Sequence, residues 1–191
     1  MADQDQEKKL DQYKVGDKVV RFGRVYEIYK KTEETVYSDG KELDDKQEVI
    51  YFKPVYENIA NRSLICSIPV SNIEETNMRR PMSESEVDEL LAFIKKPYVM
   101  KSRFNTRMAK ETLKSNDPDK IALILKKLAI VKHDPDTNFT YTKKRIFRRA
   151  MQRLQEEVAL VKEMELEEAQ EMLEKMLDKQ GKKGVELLPE D

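Results

Sequence analysis

The pattern of apolar residues changes once along this 191-residue chain, close to Pro81. Before that point, β-branched and aromatic residues occur in short runs that glycine and proline separate, which is typical of small antiparallel sheets. After it, apolar residues recur every three or four positions, which is the period of an amphipathic helix. We therefore predict an α+β fold of two domains, a small antiparallel β-barrel at residues 13–80 and an all-α helical bundle at residues 83–180.

Four short strands are predicted in the first domain, at residues 18–21, 24–29, 49–55 and 64–70. Pro54 and Pro69 mark strand ends or edges, because a proline nitrogen cannot donate to a ladder. A polar stretch at 31–47, with a turn signal (SDG) at 38–40, separates the second strand from the third. This number of short strands in about 60 residues favours a barrel of the SH3 or Tudor kind, which commonly serves as a docking module.

Five helices are predicted in the second domain, and four of them span residues 84–95, 103–114, 119–131 and 166–179. The first begins at Ser83 with a capping box. Thr142 is predicted to cap a fifth, long helix, whose apolar residues follow the 3.6 period from Phe147 to Val161. Gly181 is expected to end the last helix, so residues 181–191, like residues 1–12, are predicted to be disordered.

Charge is sorted into blocks, although the formal net charge is only -1. Residues 95–153 contain 17 Lys and Arg against 5 Asp and Glu, whereas the segments before and after them are acidic, with net charges of -6 and -7. A basic block is the usual footprint of a polyanion site, most often for nucleic acid. Within it, Lys144 with Arg148 and Arg145 with Arg149 are four residues apart, and such stacked cations repel each other unless a polyanion lies opposite. The block therefore favours nucleic-acid binding over a merely solvated helical surface.

The reactive residues of the sequence argue against an enzyme and against a metal protein. Cys66 is the one cysteine and His133 the one histidine, so the chain has neither an internal disulfide nor a Cys/His metal site. Its 5 glycines are not clustered, which excludes a phosphate-binding loop. No apolar run approaches the length of a signal peptide or a membrane span. We expect a cytoplasmic monomer that is not an enzyme, needs no cofactor and does not contact membranes.

Five segments occur in a distinctive order. The first domain contains YKVGDKVV at 13–20, LICSIPVSN at 64–72 and MRRP at 78–81, and the second contains RFNTRMAKETLKSND at 103–117 and TKKRIFRRA at 142–150. Each segment alone is a weak signal. Their order and spacing over residues 13–178 resemble the CarD/CdnL family of bacterial transcription regulators. The N-terminal module of that family is shared with the polymerase-interacting domain of transcription-repair coupling factors.

The resemblance implies a regulator that docks on the RNA polymerase β subunit through its Tudor-like domain. The helical domain of such a protein contacts upstream promoter DNA and stabilises the open complex. Phosphate contacts by Arg and Lys would make this DNA contact largely independent of base sequence. The expected polymerase-binding residues are Lys31, Leu64, Ile65 and Ser67. The expected DNA-binding residues are Arg103, Phe104, Arg107, Lys110, Lys143, Lys144, Arg145, Arg148 and Arg149.

Three features depart from the family pattern. The family places a tryptophan wedge just before the basic helix, whereas this chain has no Trp; Phe104 is the nearest aromatic substitute and Tyr98 the second. The loop after the first strand is reduced to residues 21–23 and has no histidine. Ser67 takes the place of a basic contact residue in the polymerase-binding strand, whereas Lys31 matches a second basic position.

Two alternatives from other functional classes remain open at this point. The first is an RNA-binding protein, because Val-Gly-Asp-x-Val openings such as that at 15–19 also occur in KOW-type barrels of ribosome-associated proteins. The second is a protein–protein adaptor whose helical domain binds an acidic protein and has no promoter role. An enzyme ranks below both.

Overall fold

The computed structural model of the chain describes residues 13–38, 41–100 and 102–186 and divides into two compact units between Pro81 and Met82. The first unit is a meander of four antiparallel strands, in the order β1-β2-β3-β4. The strands are β1 Lys18–Arg21, β2 Arg24–Ser38, β3 Lys41–Pro54 and β4 Cys66–Pro69.

The second unit is helical, and the predicted α+β class is confirmed. Three single 3-10 turns also occur, at Val70–Asn72, Glu74–Thr76 and Leu113–Ser115. The helices are α1 Glu84–Lys95, α2 Thr106–Thr112, α3 Pro118–His133, α4 Tyr141–Val161 and α5 Leu166–Glu186.

Strand β1 is held in the sheet by a tight hairpin at one end and by a backbone bridge to a segment further along the chain. The hairpin has a two-residue loop, Phe22 and Gly23, in which both residues have positive φ (51° and 71°), as the twist of a right-handed β-ribbon requires. Beyond β4 the chain returns beside β1, where Val20 and Arg79 exchange both backbone hydrogen bonds at 2.8 and 3.1 Å. This bridge places a short extended segment beside β1, on the side of that strand away from β2.

The core of the first unit consists of side chains from all four strands and from the return segment. Tyr26 and Phe52 pack edge to face with ring centroids 5.2 Å apart. Burial of these rings and of the aliphatic side chains around them is the main favourable contribution to the stability of this unit. The buried cluster is Tyr13, Val19, Tyr26, Ile28, Ile50, Phe52, Ile68, Ile73 and Met78.

Strands β2 and β3 are longer than the sequence pattern predicts. The polar stretch at 31–47 is mostly strand, and its ladder continues through Glu33 opposite Glu48 to Ser38 opposite Lys41. Backbone hydrogen bonds extend the ribbon without any apolar alternation, so the periodicity of side chains gives no sign of it. Of the turn predicted at 38–40, Ser38 is the last residue of β2, and residues 39 and 40 lie outside the described ones.

The helical unit is built around α3, which is buried along almost its whole length. Asp117 caps this helix by accepting a hydrogen bond from the Lys120 backbone N–H at 3.1 Å, and Pro118 occupies its first turn. The capping box predicted at the start of α1 is confirmed, because Ser83 and Glu86 each accept the other's backbone N–H. Large fully buried side chains of α3 are Ile121, Leu125, Leu128 and Ile130.

The bounds of three helices correct the sequence-based prediction. Helix α2 begins at Thr106, because the Asn105 side chain accepts the backbone N–H groups of Arg107 and Met108, each at 3.0 Å. Helix α4 begins at Tyr141 with Thr140, not Thr142, as its N-cap.

The predicted end of the last helix at Gly181 is wrong, because α5 continues to Glu186. A Cβ at Gly181 would lie 2.5 Å from the Ala129 carbonyl oxygen, and one at Gly184 would lie 2.5 Å from the Ile130 side chain. These glycines allow α5 to approach α3 closely and do not stop the helix. The predicted disorder is therefore wrong for residues 181–186, and the same prediction for residues 1–12 and 187–191 lies outside the described residues.

Within the described ranges, no helix is both long and apolar enough to cross a membrane. The same ranges contain no group of three or more His, Cys, Asp or Glu side chains placed to hold a metal ion.

Candidate nucleic-acid interface

One face of α4 presents an unbroken row of polar and cationic residues to solvent. Its apolar residues Ile146, Ala150, Leu154 and Val158 are buried, which fixes the rotation of the helix about its axis. Positions three, four, seven and eight residues after Tyr141 lie on the opposite face. We call the five exposed residues on that side the α4 face: Tyr141, Lys144, Arg145, Arg148 and Arg149.

Helix α2 packs against α4 and contributes further cations from a short segment. Ala109 and Leu113 are buried, whereas Arg103, Arg107 and Lys110 are exposed. Because the helix begins only at Thr106, Arg103 lies in the segment before it. The structure therefore brings two of these predicted cations onto one short helix and places the third just ahead of it.

The cations of the α4 face and of the α2 segment are not neutralised within the described part of the chain. None of the seven residues has a described carboxylate within 4 Å, so their charge is directed to solvent. By contrast, Lys162 lies 2.6 Å from Asp88 and 3.3 Å from Glu84, and those carboxylates raise its pKa. In the described structure, six unpaired cations on two packed helices, with Arg103 just ahead of α2, form a surface that suits a polyanion better than a fold-stabilising network.

Lys143 and Arg153 belong to the same helix but point away from this face. The Lys143 Nζ donates to the Asn138 carbonyl at 2.7 Å, which ties the start of α4 to the preceding loop. Arg153 is partly buried and donates from its guanidinium to the Leu113 carbonyl oxygen. Burial, together with the neighbouring Arg149, lowers the pKa of Arg153. Lys143 was predicted as a DNA-binding residue, and the structure does not place it with the others.

The two aromatic residues predicted from the sequence are less accessible than two other residues that it missed, the aromatic Tyr141 and the aliphatic Met108. Phe104 is half-buried, and Tyr98 is half-buried with the Lys126 and Lys127 ammonium groups each 5.9 Å from its ring centroid. Tyr141 is 77% exposed and Met108 is 67% exposed. Tyr141 lies three residues before Lys144, which is the spacing of neighbours on one helix face, but the predicted cap at Thr142 placed it outside the helix, two residues too late.

The first unit places its four predicted polymerase-binding residues on two different surfaces. Leu64 and Ile65 are exposed just before β4, which is one of the two outer strands of the described sheet, and Ser67 is exposed on it. Ser67 lies opposite Tyr51, which lies opposite Lys30. Directly opposed residues point to the same face, so Lys30 shares the face of Ser67.

Lys31 instead shares a row with the buried residues Ile50 and Ile68, and its Nζ lies 3.0 Å from the Glu48 carboxylate. A β-bulge between Ile28 and Lys30 shifts the register here, and the sequence gives no sign of it. Lys30 is the cation that the sequence missed on the face of the sheet that carries Ser67, and its ammonium lies 5.2 Å from the Tyr51 ring centroid.

The helical unit is similar to a known protein family. A family model described as CarD, C-terminal domain, matches residues 75–174, which include α1 to α4, the first part of α5 and every predicted DNA-binding residue. A search of curated proteins found no match.

Proposed function

Since this chain belongs to the CarD family of transcription regulators, we propose that its helical unit binds promoter DNA while its β-barrel docks on the RNA polymerase β subunit. The observation that supports the DNA contact is the row of unpaired cations on α4, continued by those of the α2 segment. Bound in this way, the protein stabilises the open complex and performs no chemistry.

The expected DNA contact is to phosphates. Arg145, Arg148 and Arg149 each present a planar guanidinium that pairs a phosphate through two hydrogen bonds, whereas Lys144 acts as a point charge. Such contacts position the protein on the duplex but do not read its sequence. If about six phosphates are neutralised, the logarithm of the affinity falls with the logarithm of the salt concentration with a slope of roughly -5.

Tyr141 gives this face an aromatic group beside the cations. Its ring is exposed at the first residue of α4, where free backbone N–H groups and the helix dipole also attract phosphate. An aromatic ring beside phosphate-binding cations can stack on an unpaired base, which a melted promoter supplies. We therefore assign to Tyr141 the contact that the missing tryptophan makes in the family pattern.

The barrel is expected to dock through the outer edge of its sheet. Strand β4 pairs only with β3 in the described sheet, and the apolar side chains of Leu64 and Ile65, the latter 60% exposed, lie just before it. An open strand edge with exposed apolar residues is a surface to which a partner protein can add. Tethering of this kind raises the effective concentration of DNA near the helical unit, so weak intrinsic affinity is sufficient.

The test is a charge reversal that leaves docking intact. Arg148→Glu with Arg149→Glu should abolish stabilisation of the open complex, measured as the lifetime of heparin-resistant promoter complexes, while capture of polymerase is unchanged. The matched control is Lys175→Glu with Lys179→Glu, which makes the same change of net charge on exposed positions of α5. The reciprocal variant Ile65→Ser should lose polymerase capture and keep the affinity for DNA.

Two outcomes would refute the proposal. Equal effects of the α4 and α5 reversals would show that net charge alone matters and that the α4 face has no specific role. Loss of binding to an acidic protein, with DNA affinity unchanged in the α4 variant, would favour the adaptor function instead.

A further inference from the structure

A groove of about 590 Å³ lies beside the α4 face, lined by side chains from α3, α4, α5 and the loop between α3 and α4. Its volume is within the range of roughly 300 to 1,000 Å³ that small-molecule sites occupy. Aromatic rings, cations, side-chain amides and a carboxylate line it. The lining residues that carry the argument are Phe139, Phe147, Lys132, Lys144, Arg148 and Glu174.

The aromatic part of the groove is preorganised. The rings of Phe139 and Phe147 pack edge to face, with centroids 6.3 Å apart and planes at 79°. Both side chains are half-buried, so each keeps part of its surface open to the groove. Two perpendicular rings offer one face and one edge to a flat aromatic ligand, which is a favourable arrangement for stacking.

The charged part of the groove favours an anion. Lys132, Lys144 and Arg148 are exposed and positive, and they face a single carboxylate, that of Glu174. The Glu174 Oε1 accepts a hydrogen bond from the Gln170 side-chain amide at 2.8 Å, which holds the carboxylate on α5. A carboxylate in this position repels phosphate but can accept from a hydroxyl group of a sugar.

From this combination we propose that the groove binds a nucleoside diphosphate. The base stacks on the two phenylalanine rings, the ribose hydroxyls donate to Glu174, and the phosphates pair with Lys144 and Arg148. Gln152, Gln155 and Gln170 also line the groove and supply both donors and acceptors for the edge of a base. The remaining cation, Lys132, reaches the same anion from α3.

The proposed ligand would compete with DNA. Lys144 and Arg148 line the groove and also belong to the α4 face, whereas Arg145 and Arg149 lie on the far side of that face and do not line the groove. A bound nucleotide therefore occupies two of the four α4 cations that the proposed function assigns to DNA. Only this competition rests on the proposed function; binding in the groove does not.

The test uses the full chain and the fluorescent probe N-methylanthraniloyl-ADP, with a duplex DNA fragment titrated separately. Lys132→Ala should weaken the probe about fivefold, the loss of one charge-assisted contact, and leave the affinity for duplex unchanged. Arg145→Ala should weaken duplex binding and leave the affinity for the probe unchanged. Arg148→Ala should weaken both, and unlabelled ADP should displace the probe far better than inorganic phosphate does.

Three results would overturn the proposal. They are a probe titration that does not saturate, an Arg145→Ala variant that weakens the probe as much as Lys132→Ala does, and displacement by inorganic phosphate at the same concentration as by ADP. The last would mean that the groove binds simple anions only. If wild-type duplex binding fails while the probe binds as described, the proposed function falls and the groove assignment stands. All three variant positions are exposed, so we expect the substitutions to leave the fold intact.

Discussion

Two arginines of α4 that are only one turn apart, Arg149 and Arg153, should differ completely in their contribution to DNA binding. Arg149 is exposed and unpaired in the described structure, whereas Arg153 is partly buried and donates to the Leu113 carbonyl. Neutralising Arg148 and Arg149 as glutamines removes two of about six phosphate contacts, so the salt slope should weaken by about 1.8, from roughly -5 to roughly -3. Arg153→Gln should leave the slope unchanged.

The same substitutions should affect the free energy of unfolding in the opposite order, with the larger loss at Arg153. Arg153→Gln removes a charged donor from a buried carbonyl, so the free energy of unfolding should fall by about 1 to 3 kcal/mol. The exposed pair should change it by less than about 0.5 kcal/mol each. The assays are DNA titrations at four salt concentrations and urea unfolding of each variant. A slope that weakens as much for Arg153→Gln as for Arg149→Gln alone would refute the division between binding and structural arginines.

Three further predictions follow from buried or exposed single side chains. Gly181→Ala should lower the free energy of unfolding by about 1 to 2 kcal/mol, because the new methyl group would overlap the Ala129 carbonyl oxygen. The cost of this overlap outweighs the gain in helix propensity of about 1 kcal/mol. Thermal unfolding measures the change, and a stabilised variant would contradict the close approach of α5 to α3. Burial lowers the pKa of Lys126 in the folded state, so the unfolded state binds more protons and wild-type stability should rise as pH increases towards 10.5. The free energy of unfolding of wild type minus that of Lys126→Met, measured in urea, should therefore increase from pH 7 to pH 10. A difference that stays constant with pH would refute this. Tyr141→Ala should weaken binding to forked DNA at least about fivefold more than binding to duplex DNA, with the stability of the protein unchanged. Fluorescence anisotropy measures both affinities. An equal loss of affinity for the two DNAs would exclude stacking.

The fold was largely predictable because its signals are local. The capping box at Ser83 and the proline at the start of α3 depend on a few adjacent residues, and the structure has both where the sequence places them. Gly181 shows the opposite case, because glycine is favoured both at a helix end and at a close approach between helices. The choice between these depends on the Ala129 carbonyl of another helix, which no local pattern reports.

The candidate site was predictable in composition but less so in geometry. The sequence identifies a basic helix, and four of its cations do lie on one exposed face. It does not reveal the β-bulge between Ile28 and Lys30, just before Lys31. Such a bulge shifts the register by one residue, and this shift moves each following side chain to the other face of the sheet. For the same reason Lys30 was missed.

Helix α4 has both a structural and a proposed binding role, and this determines how variants must be interpreted. Its apolar side is buried in the helical unit, and the buried Glu157 carboxylate accepts the Met82 backbone N–H at 2.7 Å, just before α1. Of the six Lys and Arg residues on α4, four face solvent and two, Lys143 and Arg153, hydrogen-bond to carbonyl groups of neighbouring segments. A count of basic residues therefore overstates the binding surface by half. A loss of DNA affinity identifies a contact residue only when the free energy of unfolding stays the same, because any variant that rotates α4 also turns the cationic face away from its ligand.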